Sequence, residues 1–430
     1  MIKRFISLAV VNVISNLMIP IAGLIDTAFL GHLDNISYLA GVALASVIFN
    51  YIYWTFGFLR MGTTGTVAQA KGREDSEEIV VILLRNCAIA LTISIVILVL
   101  QVPIRELGFT ILNGESDVIN SARSYYNALI YGAPATLLNF VLLGWLLGMG
   151  KSRQVLLLSV IDKVANVALN YLFIVRLGLL SGGAGLATAI SQYISLLVGL
   201  ALVLPAIDKK LFHSNSQKIW EYSALKKVFF LNADIFIRTF ALVSTFSLFT
   251  NISATIGTNT LATNTLLLQV VTLAAYFIDG IAFATETIVG YLQGKQDYKQ
   301  LFKISRIACF SSLLIGISIA ALFIIFPQAL FSILTKHDNV INQINTYVFW
   351  LFPILTFGSV AYMLDGYFLG LTAGKILRNS TLIACTIGFL PVSAIAFHLQ
   401  SSHLLWLALS CFMATRTLTL GFKWLNNRYV

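Results

Sequence analysis

Long apolar segments alternate with short polar connections along the whole chain. Twelve of these segments are long enough to cross the hydrocarbon core of a bilayer, which takes about 20 residues of helix. Helices are expected there because backbone polar groups inside a bilayer must be bonded within the protein. The pattern predicts an all-α polytopic membrane protein with twelve transmembrane helices, near residues 6–31, 38–70, 79–104, 121–148, 154–177, 183–206, 226–254, 260–293, 302–326, 341–371, 376–399 and 402–424.

Basic residues collect on one side of the membrane if the N-terminus lies in the cytoplasm. The inside then carries nineteen Lys and Arg residues, and the outside carries four, namely Arg105, Arg123, Arg176 and Lys336. An excess of positive charge in cytoplasmic loops determines topology in most membrane proteins. We therefore expect both termini in the cytoplasm. The same asymmetry explains the net charge of +10 without a nucleic-acid partner.

The two halves of the chain repeat each other. Residues recur at a constant offset of 222 positions: Leu39 as Leu261, Tyr125 as Tyr347, Gly144 as Gly366 and Gly148 as Gly370. Each half holds an even number of helices, so both halves enter the membrane in the same orientation. Parallel repeats of this kind are related by an axis along the membrane normal. We expect two six-helix lobes related by a pseudo-two-fold axis, at 1–207 and 226–430, joined by a cytoplasmic linker at 208–225.

The first apolar segment contains an ionisable residue at membrane depth. Asp26 lies in the stretch 16–34, six residues after Pro20. A charged carboxylate there costs at least about 2.5–3.5 kcal/mol on insertion scales. Pro20 removes a backbone hydrogen bond and bends the helix, so it is a candidate hinge. A bendable helix beside a protonatable group suits an ion-driven switch. The alternative is an Asp26 that only bonds a polar neighbour.

Further polar residues lie inside the other segments of the first half. Asn166 and Asn170 are four residues apart on the fifth helix and share one face. They either join helices or line a cavity. Asp162 and Lys163 lie nearer the inner end of that helix, where Lys163 can extend to the membrane surface. Other candidates in this half are Thr188, Asn139 and Arg60, the last as a salt-bridge or gating residue.

The second half carries its own buried charges. Asp234 and Arg238 are four residues apart and can pair within the seventh helix, although the sequence does not assign the pairs among the buried arginines and acids. Asp279 and Glu286 are seven apart on the eighth helix, so both project from about the same face. Asp365 on the tenth helix is a further buried acid. Asp279 and Glu286 are secondary candidates for ion coupling or for a structural role.

Several classes of function are disfavoured. The chain is 58% hydrophobic and 11% charged, against roughly 25% charged residues in soluble domains, so there is little room for a soluble domain. The Cys and His residues show no metal-ligand spacing, and no nucleophile or HExxH pattern marks an enzyme. We expect no enzyme activity, no organic cofactor and no structural metal.

Four stretches together resemble the DinF-like branch of the multidrug and toxic compound extrusion (MATE) transporters. They are residues 23–28 (GLIDTA), 59–65 (LRMGTTG), 142–148 (LLGWLLG) and 279–284 (DGIAFA), the last followed by Glu286. The resemblance covers the chain in order. It implies a twelve-helix, two-lobed fold and efflux of cationic or amphipathic compounds in exchange for H⁺ or Na⁺.

The resemblance also assigns roles to residues. It makes Asp26 the coupling carboxylate of the N-terminal lobe, beside a polar cluster that falls on Asn166, Asn170 and Thr188. Many relatives have Asp at the position of Asn170, and an amide adds no negative charge. Because hard cations favour charged oxygens, we favour H⁺ as the coupling ion, with Na⁺ at these four residues as the alternative. We expect a monomer in the inner membrane of a bacterium.

One rival function belongs to the same superfamily. A lipid-linked precursor flippase that handles anionic pyrophosphate lipids should line its cavity with Lys or Arg. The charges and polar groups in the middle of the first, fifth and eighth segments are instead acids and amides, apart from Lys163. A channel is also conceivable, but it does not explain a duplication with acids in both halves. The sequence therefore favours an antiporter of small lipophilic cations.

Overall fold

Twelve helical spans build the protein, as the hydrophobic pattern predicts. The computed structural model describes residues 1–31, 33, 35–112, 115–207, 221–332 and 338–426. Within this part, twelve spans are long and apolar enough to cross a membrane: α1 (Ile2–Gly31), α2 (Ser37–Gly72), α3 (Ser76–Val99), α4 (Ser116–Gly148), α5 (Ser152–Arg176), α6 (Leu180–Ala206), α7 (Tyr222–Ile256), α8 (Thr258–Gly294), α9 (Tyr298–Ile325), α10 (Asn339–Gly370), α11 (Gly374–Leu399) and α12 (Ser402–Asn426). The predicted number and order of spans are confirmed. Most of the predicted linker, at 208–220, lies outside the described residues.

Several spans are interrupted by a local change of helix type. α2 consists of Ser37–Phe56 and Phe58–Gly72, which meet at Gly57. Short 3₁₀ turns interrupt α4 at Ile130–Gly132 and α10 at Val348–Trp350. The last turns of α5 and the middle of α11 are π-helical, at Tyr171–Arg176 and Ala384–Phe389. Two short helices, Gln101–Ile111 and Pro327–Phe331, connect spans. In contrast, α1 is helical without interruption across Pro20.

The chain divides into two compact units. The first unit is Ile14–Phe229, and the second is Met1–Val13 together with Phe230–Val430. The boundary falls inside α1, because the first turns of this helix pack with the second half of the chain. Within the second unit, the Arg4 guanidinium lies 5.4 Å from the centre of the Tyr291 ring. The residues of α1 from Ile14 onward, including Asp26, belong to the first unit.

The internal repeat is visible in the packing of each unit. In the first unit, a Cβ added at Gly144 of α4 would lie 2.5 Å from the carbonyl oxygen of Arg60 in α2. In the second unit, a Cβ at Gly366 of α10 would lie 2.3 Å from the carbonyl oxygen of Ala282 in α8. Both glycines and both carbonyls are 222 positions apart. The repeat therefore preserves a close helix–helix contact that small residues permit.

Candidate functional site

A cavity of about 240 Å³ lies within the first unit, and Asp26 is part of its wall. Asp26 is near the end of α1, five residues before Gly31, and its side chain is half-buried. The wall also includes Asn170 of α5 and Ala184 and Thr188 of α6. The described lining residues are Gly23, Asp26, Thr27, Leu30, Leu39, Val42, Ala43, Ser46, Tyr125, Asn170, Ala184 and Thr188.

The structure joins four of the predicted site residues in one chain of hydrogen bonds. Asn170 Nδ2 donates to Asp26 Oδ1 at 2.6 Å and to Asn166 Oδ1 at 3.2 Å. Asn166 Nδ2 in turn donates to Thr188 Oγ1 at 3.1 Å, which donates to the carbonyl of Ala184. Asn166 is not among the described lining residues, and its Oδ1 holds the Asn170 amide through a hydrogen bond. The helical spacing predicted from sequence thus places the α5 amides on the face that meets α1 and α6.

The orientation of Asn170 affects what Asp26 can bind. Its amide nitrogen faces the Asp26 carboxylate, while its Oδ1 is buried and has no hydrogen-bond partner in the described part of the chain. A hydrogen bond from an amide stabilises a carboxylate without cancelling its charge. Asp26 therefore keeps a negative charge that a proton or another cation can neutralise in the cavity.

Oxygen atoms of the same four residues could surround a small cation. Carboxylate, amide and hydroxyl oxygens are the ligands that hard cations prefer. A Na⁺ at this place would need the Asn170 amide to turn so that Oδ1, not Nδ2, faces Asp26. Among the described residues, no three His, Cys, Asp or Glu side chains are grouped in a way that could hold a metal ion. The present arrangement suits a proton without any such rearrangement.

A second polar group lies farther along α5 and α6, and sequence reasoning described it only in part. Gln192 Nε2 donates to Asp162 Oδ1 at 3.1 Å, and Lys163 Nζ lies 2.8 Å from Asp162 Oδ2. Asn139 of α4 donates to Gln192 Oε1 at 3.0 Å. Lys163 is paired with the adjacent Asp162 and is 30% exposed, and its extension to the membrane surface stays a prediction. The four-residue spacing of Asp162 and Asn166 was the signal that this carboxylate shares the polar region.

The remaining candidates of the first unit lie outside the cavity wall. Pro20 is half-buried and about two turns before Asp26, within an unbroken helix, so its role as a hinge stays a prediction. Arg60 is half-buried in α2, and its carbonyl oxygen accepts a hydrogen bond from Thr64 Oγ1 at 2.9 Å. Ser15 of α1 bonds Ser159 of α5 through their hydroxyl groups at 2.6 Å, a contact that the sequence did not indicate.

The buried charges of the second unit pair between helices. Asp365 accepts hydrogen bonds from Arg238 of α7 and from Arg416 of α12, the latter at 2.5 Å. Asp234 pairs with Arg378 of α11 at 2.6 Å. The pairing of Asp234 with Arg238 that the spacing allows inside one helix is therefore not the one formed, because each side chain has a closer partner on a neighbouring helix.

The two acids of α8 are buried to different extents. Glu286 is fully buried, at 0% exposure, whereas Asp279 is half-buried and acts electrostatically on Tyr276 and Tyr362. A separation of seven residues suggested that both acids lie on one face of α8. Only Glu286 lies deep in the contact with α10, where its backbone carbonyl is close to Gly370. Both belong to the second unit, so they are not part of the Asp26 cavity.

Comparison with known proteins identifies the family of the chain. The sequence model of the MatE family matches residues 12–172 and 235–414. DNA damage-inducible protein F of Escherichia coli (strain K12) is 32% identical over 422 residues, which are 98% of this chain and 92% of the relative. The probable multidrug resistance protein NorM of Acinetobacter baylyi is 26% identical over 294 residues, covering 66% of this chain and 64% of the relative.

Solved structures show the same fold. A MOP superfamily transporter from Pyrococcus furiosus superimposes with a TM-score of 0.90 at 18% identity, over 99% of this chain and 95% of that chain. This agreement confirms the predicted two-lobed, all-helical architecture, and the family match confirms the resemblance seen in the sequence motifs. The family is one of transporters and not of enzymes. The chain is a member of the MatE family, the multidrug and toxic compound extrusion transporters.

Proposed function

We propose that this protein is a secondary active antiporter that exports cationic or amphipathic compounds in exchange for protons. The observation that carries the proposal is the placement of Asp26 in the wall of a cavity, bonded to Asn170. A carboxylate in a partly apolar cavity attracts a lipophilic cation and can also bind a proton. Competition of proton and substrate for one negative site is sufficient for antiport.

The composition of the cavity supports a cationic substrate. Among the described residues that line it, Asp26 is the only charged side chain, and none is Lys or Arg. A flippase for anionic pyrophosphate lipids would require basic groups in that place. The apolar part of the wall and the ring of Tyr125 suit the hydrophobic body of a lipophilic cation.

The neutral partners of Asp26 support H⁺ over Na⁺ as the coupling ion. Asn166, Asn170 and Thr188 contribute no negative charge, and Asn170 directs its nitrogen toward Asp26. Na⁺ would lose one anionic ligand compared with a site that holds two carboxylates. The Na⁺-driven mechanism is the alternative, and it uses the same four residues.

The transport cycle alternates between two access states. Facing outward, Asp26 binds a proton, and the neutral carboxyl group changes its hydrogen bond with Asn170. α1 then bends near Pro20, the cavity shrinks and the substrate leaves. Facing inward, the proton departs and a cationic substrate enters beside the ionised Asp26. Each step shifts the population between states through differential binding of proton and substrate.

The cellular setting follows from the distribution of charge. The excess of Lys and Arg in alternate loops favours cytoplasmic N- and C-termini. The lobes are then 1–207 and 226–430, joined by the linker 208–225. We place the protein as a monomer in the inner membrane of a bacterium.

The decisive experiment is transport by the purified full chain in proteoliposomes. Uptake of rhodamine 6G, a fluorescent lipophilic cation, is measured under an imposed pH gradient and, separately, under an imposed Na⁺ gradient. The variants are wild type, Asp26→Asn and, as a matched control in the second unit, Asp234→Asn. We expect proton-driven uptake in wild type and in the control, and none in Asp26→Asn, although it is monodisperse.

Other results change the proposal in defined ways. Uptake driven only by the Na⁺ gradient would replace H⁺ by Na⁺ as coupling ion. Full proton-driven uptake by Asp26→Asn would refute the role of this carboxylate. Absence of uptake by wild type under both gradients, together with scrambling of a fluorescent pyrophosphate lipid, would favour the flippase.

A further inference from the structure

Lys163 lies on the face of α5 that meets α1, between two hydrogen bonds that join these helices. One contact is the Ser15–Ser159 hydroxyl pair, and the other is the Asp26–Asn170 hydrogen bond. Lys163 is four residues after Ser159 and seven before Asn170. At 3.6 residues per turn these positions share one side of the helix, with Lys163 about 10 Å along the axis from Asn170.

Asp162, the ion-pair partner of Lys163, is more buried than Lys163 and has a second hydrogen-bond partner. Asp162 is buried and is held by Gln192 at 3.1 Å in addition to the Lys163 ammonium group at 2.8 Å. The Lys163 side chain is 30% exposed, against 11% for that of Asp162. A lysine has a flexible four-carbon stem and keeps its charge while it changes position. Lys163 can therefore move while Asp162 stays in place.

The positive charge of Lys163 interacts electrostatically with the Asp26 carboxylate. Both members of the Asp162–Lys163 pair are close enough to the Asp26 carboxylate to interact with it electrostatically, with opposite effects. The pair is neutral as a whole, but Lys163 is the member that shares the α5 face of Ser159 and Asn170, both of which bond α1. No comparable cation lines the cavity among the described residues.

We propose that Lys163 is a tethered cation that competes with the proton and with a cationic substrate for Asp26. When Asp26 is ionised and the cavity holds no substrate, the Lys163 ammonium group stabilises the carboxylate. When a proton or a cation neutralises Asp26, Lys163 is held by Asp162 alone. The proposal rests on the proposed antiport function and adds that binding strength is set by a residue outside the cavity wall.

The proposal predicts a specific change in binding. Removing the positive charge in Lys163→Gln should let Asp26 bind other cations more strongly. We expect the affinity for rhodamine 6G at pH 8 to rise about tenfold. At a protein concentration below the dissociation constants of both proteins, the pH at which protons displace half of the bound dye should rise by about one unit. Lys163→Arg keeps the charge and should restore the wild-type curve. A purely structural salt bridge would give no such shift.

The measurement is fluorescence polarisation of rhodamine 6G with the purified full chain between pH 5.5 and 8.5. The matched control is Lys151→Gln, which removes a lysine near the start of the same helix, where its ammonium group lies 5.3 Å from the centre of the Trp145 ring. This control should leave the curve unchanged. Gel filtration and thermal unfolding of each variant show that it is folded.

Two further variants separate the possible causes. Lys163→Gln leaves the Asp162 carboxylate without its ion-pair partner, and this negative charge could itself shift the binding curve. The double variant Asp162→Asn/Lys163→Gln removes that charge, so any shift that remains is due to the loss of Lys163. A curve that returns fully to wild type would overturn the proposal, as would an unchanged curve for folded Lys163→Gln. Asp26→Asn tests the underlying function separately. If its dye binding remains displaceable by protons, the antiport mechanism fails whatever Lys163 does.

Discussion

The two units share their packing but hold their carboxylates in opposite ways. Asp26 in the first unit lines a cavity and receives a hydrogen bond from the neutral Asn170. Asp365 in the second unit is 4% exposed and is bonded by two arginines, Arg238 and Arg416. The amide leaves the charge of Asp26 available to a mobile cation, whereas the guanidinium groups neutralise Asp365 permanently. Under the proposed antiport, Asp26 serves exchange of cations, and Asp365 serves cohesion of the helices.

The internal repeat explains why this difference is possible. Gly144 and Gly366 are equivalent and make equivalent close contacts. The carboxylates are not equivalent, because the position 222 residues after Asp26 is Leu248 and the one 222 before Asp365 is Leu143. The duplicated feature is thus the backbone approach of neighbouring helices. Ionisable residues differ between the two units, so each unit carries its own chemistry.

The largest expected effect comes from removing the carboxylate of the second unit. Asp365→Asn leaves two buried guanidinium groups without their counter-ion, and Arg416 is fully buried. Breaking a buried ion pair in this way costs about 3–5 kcal/mol. We expect little monodisperse protein on gel filtration and, for any that is recovered, a strongly lowered melting temperature.

The control for this variant is Asp234→Asn, which removes one acid from the more exposed pair with Arg378. It should remain monodisperse with a small loss of stability. The comparison between the units would be broken if Asp365→Asn were as stable as wild type, since the carboxylate would then contribute nothing to cohesion.

Equivalent glycines should respond alike in both units. A methyl group at Gly366 would contact the Ala282 carbonyl oxygen, and one at Gly144 would contact the Arg60 carbonyl oxygen, so neighbouring backbone must move in both cases. Overpacking of this kind costs about 1–3 kcal/mol. We expect similar falls in melting temperature for Gly144→Ala and Gly366→Ala. Gly23→Ala is the control, because no atom lies within 4 Å of the added methyl. A large difference between the two variants would show that the packing is not equivalent.

The sequence predicted the architecture from spacing, whereas the cluster around Asp26 was implied by the resemblance of the motifs. Twelve apolar segments of sufficient length gave the spans, and a constant offset gave the repeat. Asn166 and Asn170 are four residues apart, and the structure accordingly places them together beside Asp26. The motif resemblance supplied the association of these amides with Asp26 and Thr188, which lie on other helices. Local periodicity was enough to place these two amides on one face of α5.

Contacts between distant segments were the part that spacing could not give. Asp234 and Arg238 had the right spacing for a pair, yet Arg378 and Asp365, over 120 residues away in sequence, are their partners. Several helices compete for each charge, and only the packing decides between them.

An effect of intermediate size should follow from changing the neutral partner of Asp26. Asn170→Asp places a second carboxylate where the amide now lies 2.6 Å from Asp26. Like charges so close raise the affinity of the pair for a proton, and they also favour a hard cation. We expect the pH of half-maximal proton displacement of rhodamine 6G to rise by about one unit, with a new dependence on Na⁺.

Choline chloride replaces NaCl in the reference series, and Asn139→Asp serves as the matched variant. Asn139 is also a buried amide, but it bonds Gln192 and is not among the described lining residues. Its variant should show neither change. If Asn170→Asp also behaved as wild type, the neutrality of Asn170 would not be what makes Asp26 available, and the contrast with Asp365 would lose its meaning.

The smallest effect is expected where two arginines hold a carboxylate at the surface. Glu106 accepts hydrogen bonds from Arg123 at 2.7 Å and from Arg105 at 2.9 Å, and it is 44% exposed. These contacts lower the pKa of Glu106 below its usual value. Their stabilisation is therefore present at neutral pH and disappears as the pH falls below about 4. Glu106→Gln should lower the melting temperature by about 1 °C at pH 7, and the difference should vanish at pH 3 or in 1 M salt. A fall in melting temperature as large as that of Asp365→Asn would show that the number of arginines, and not burial, determines how strongly the carboxylate is bound.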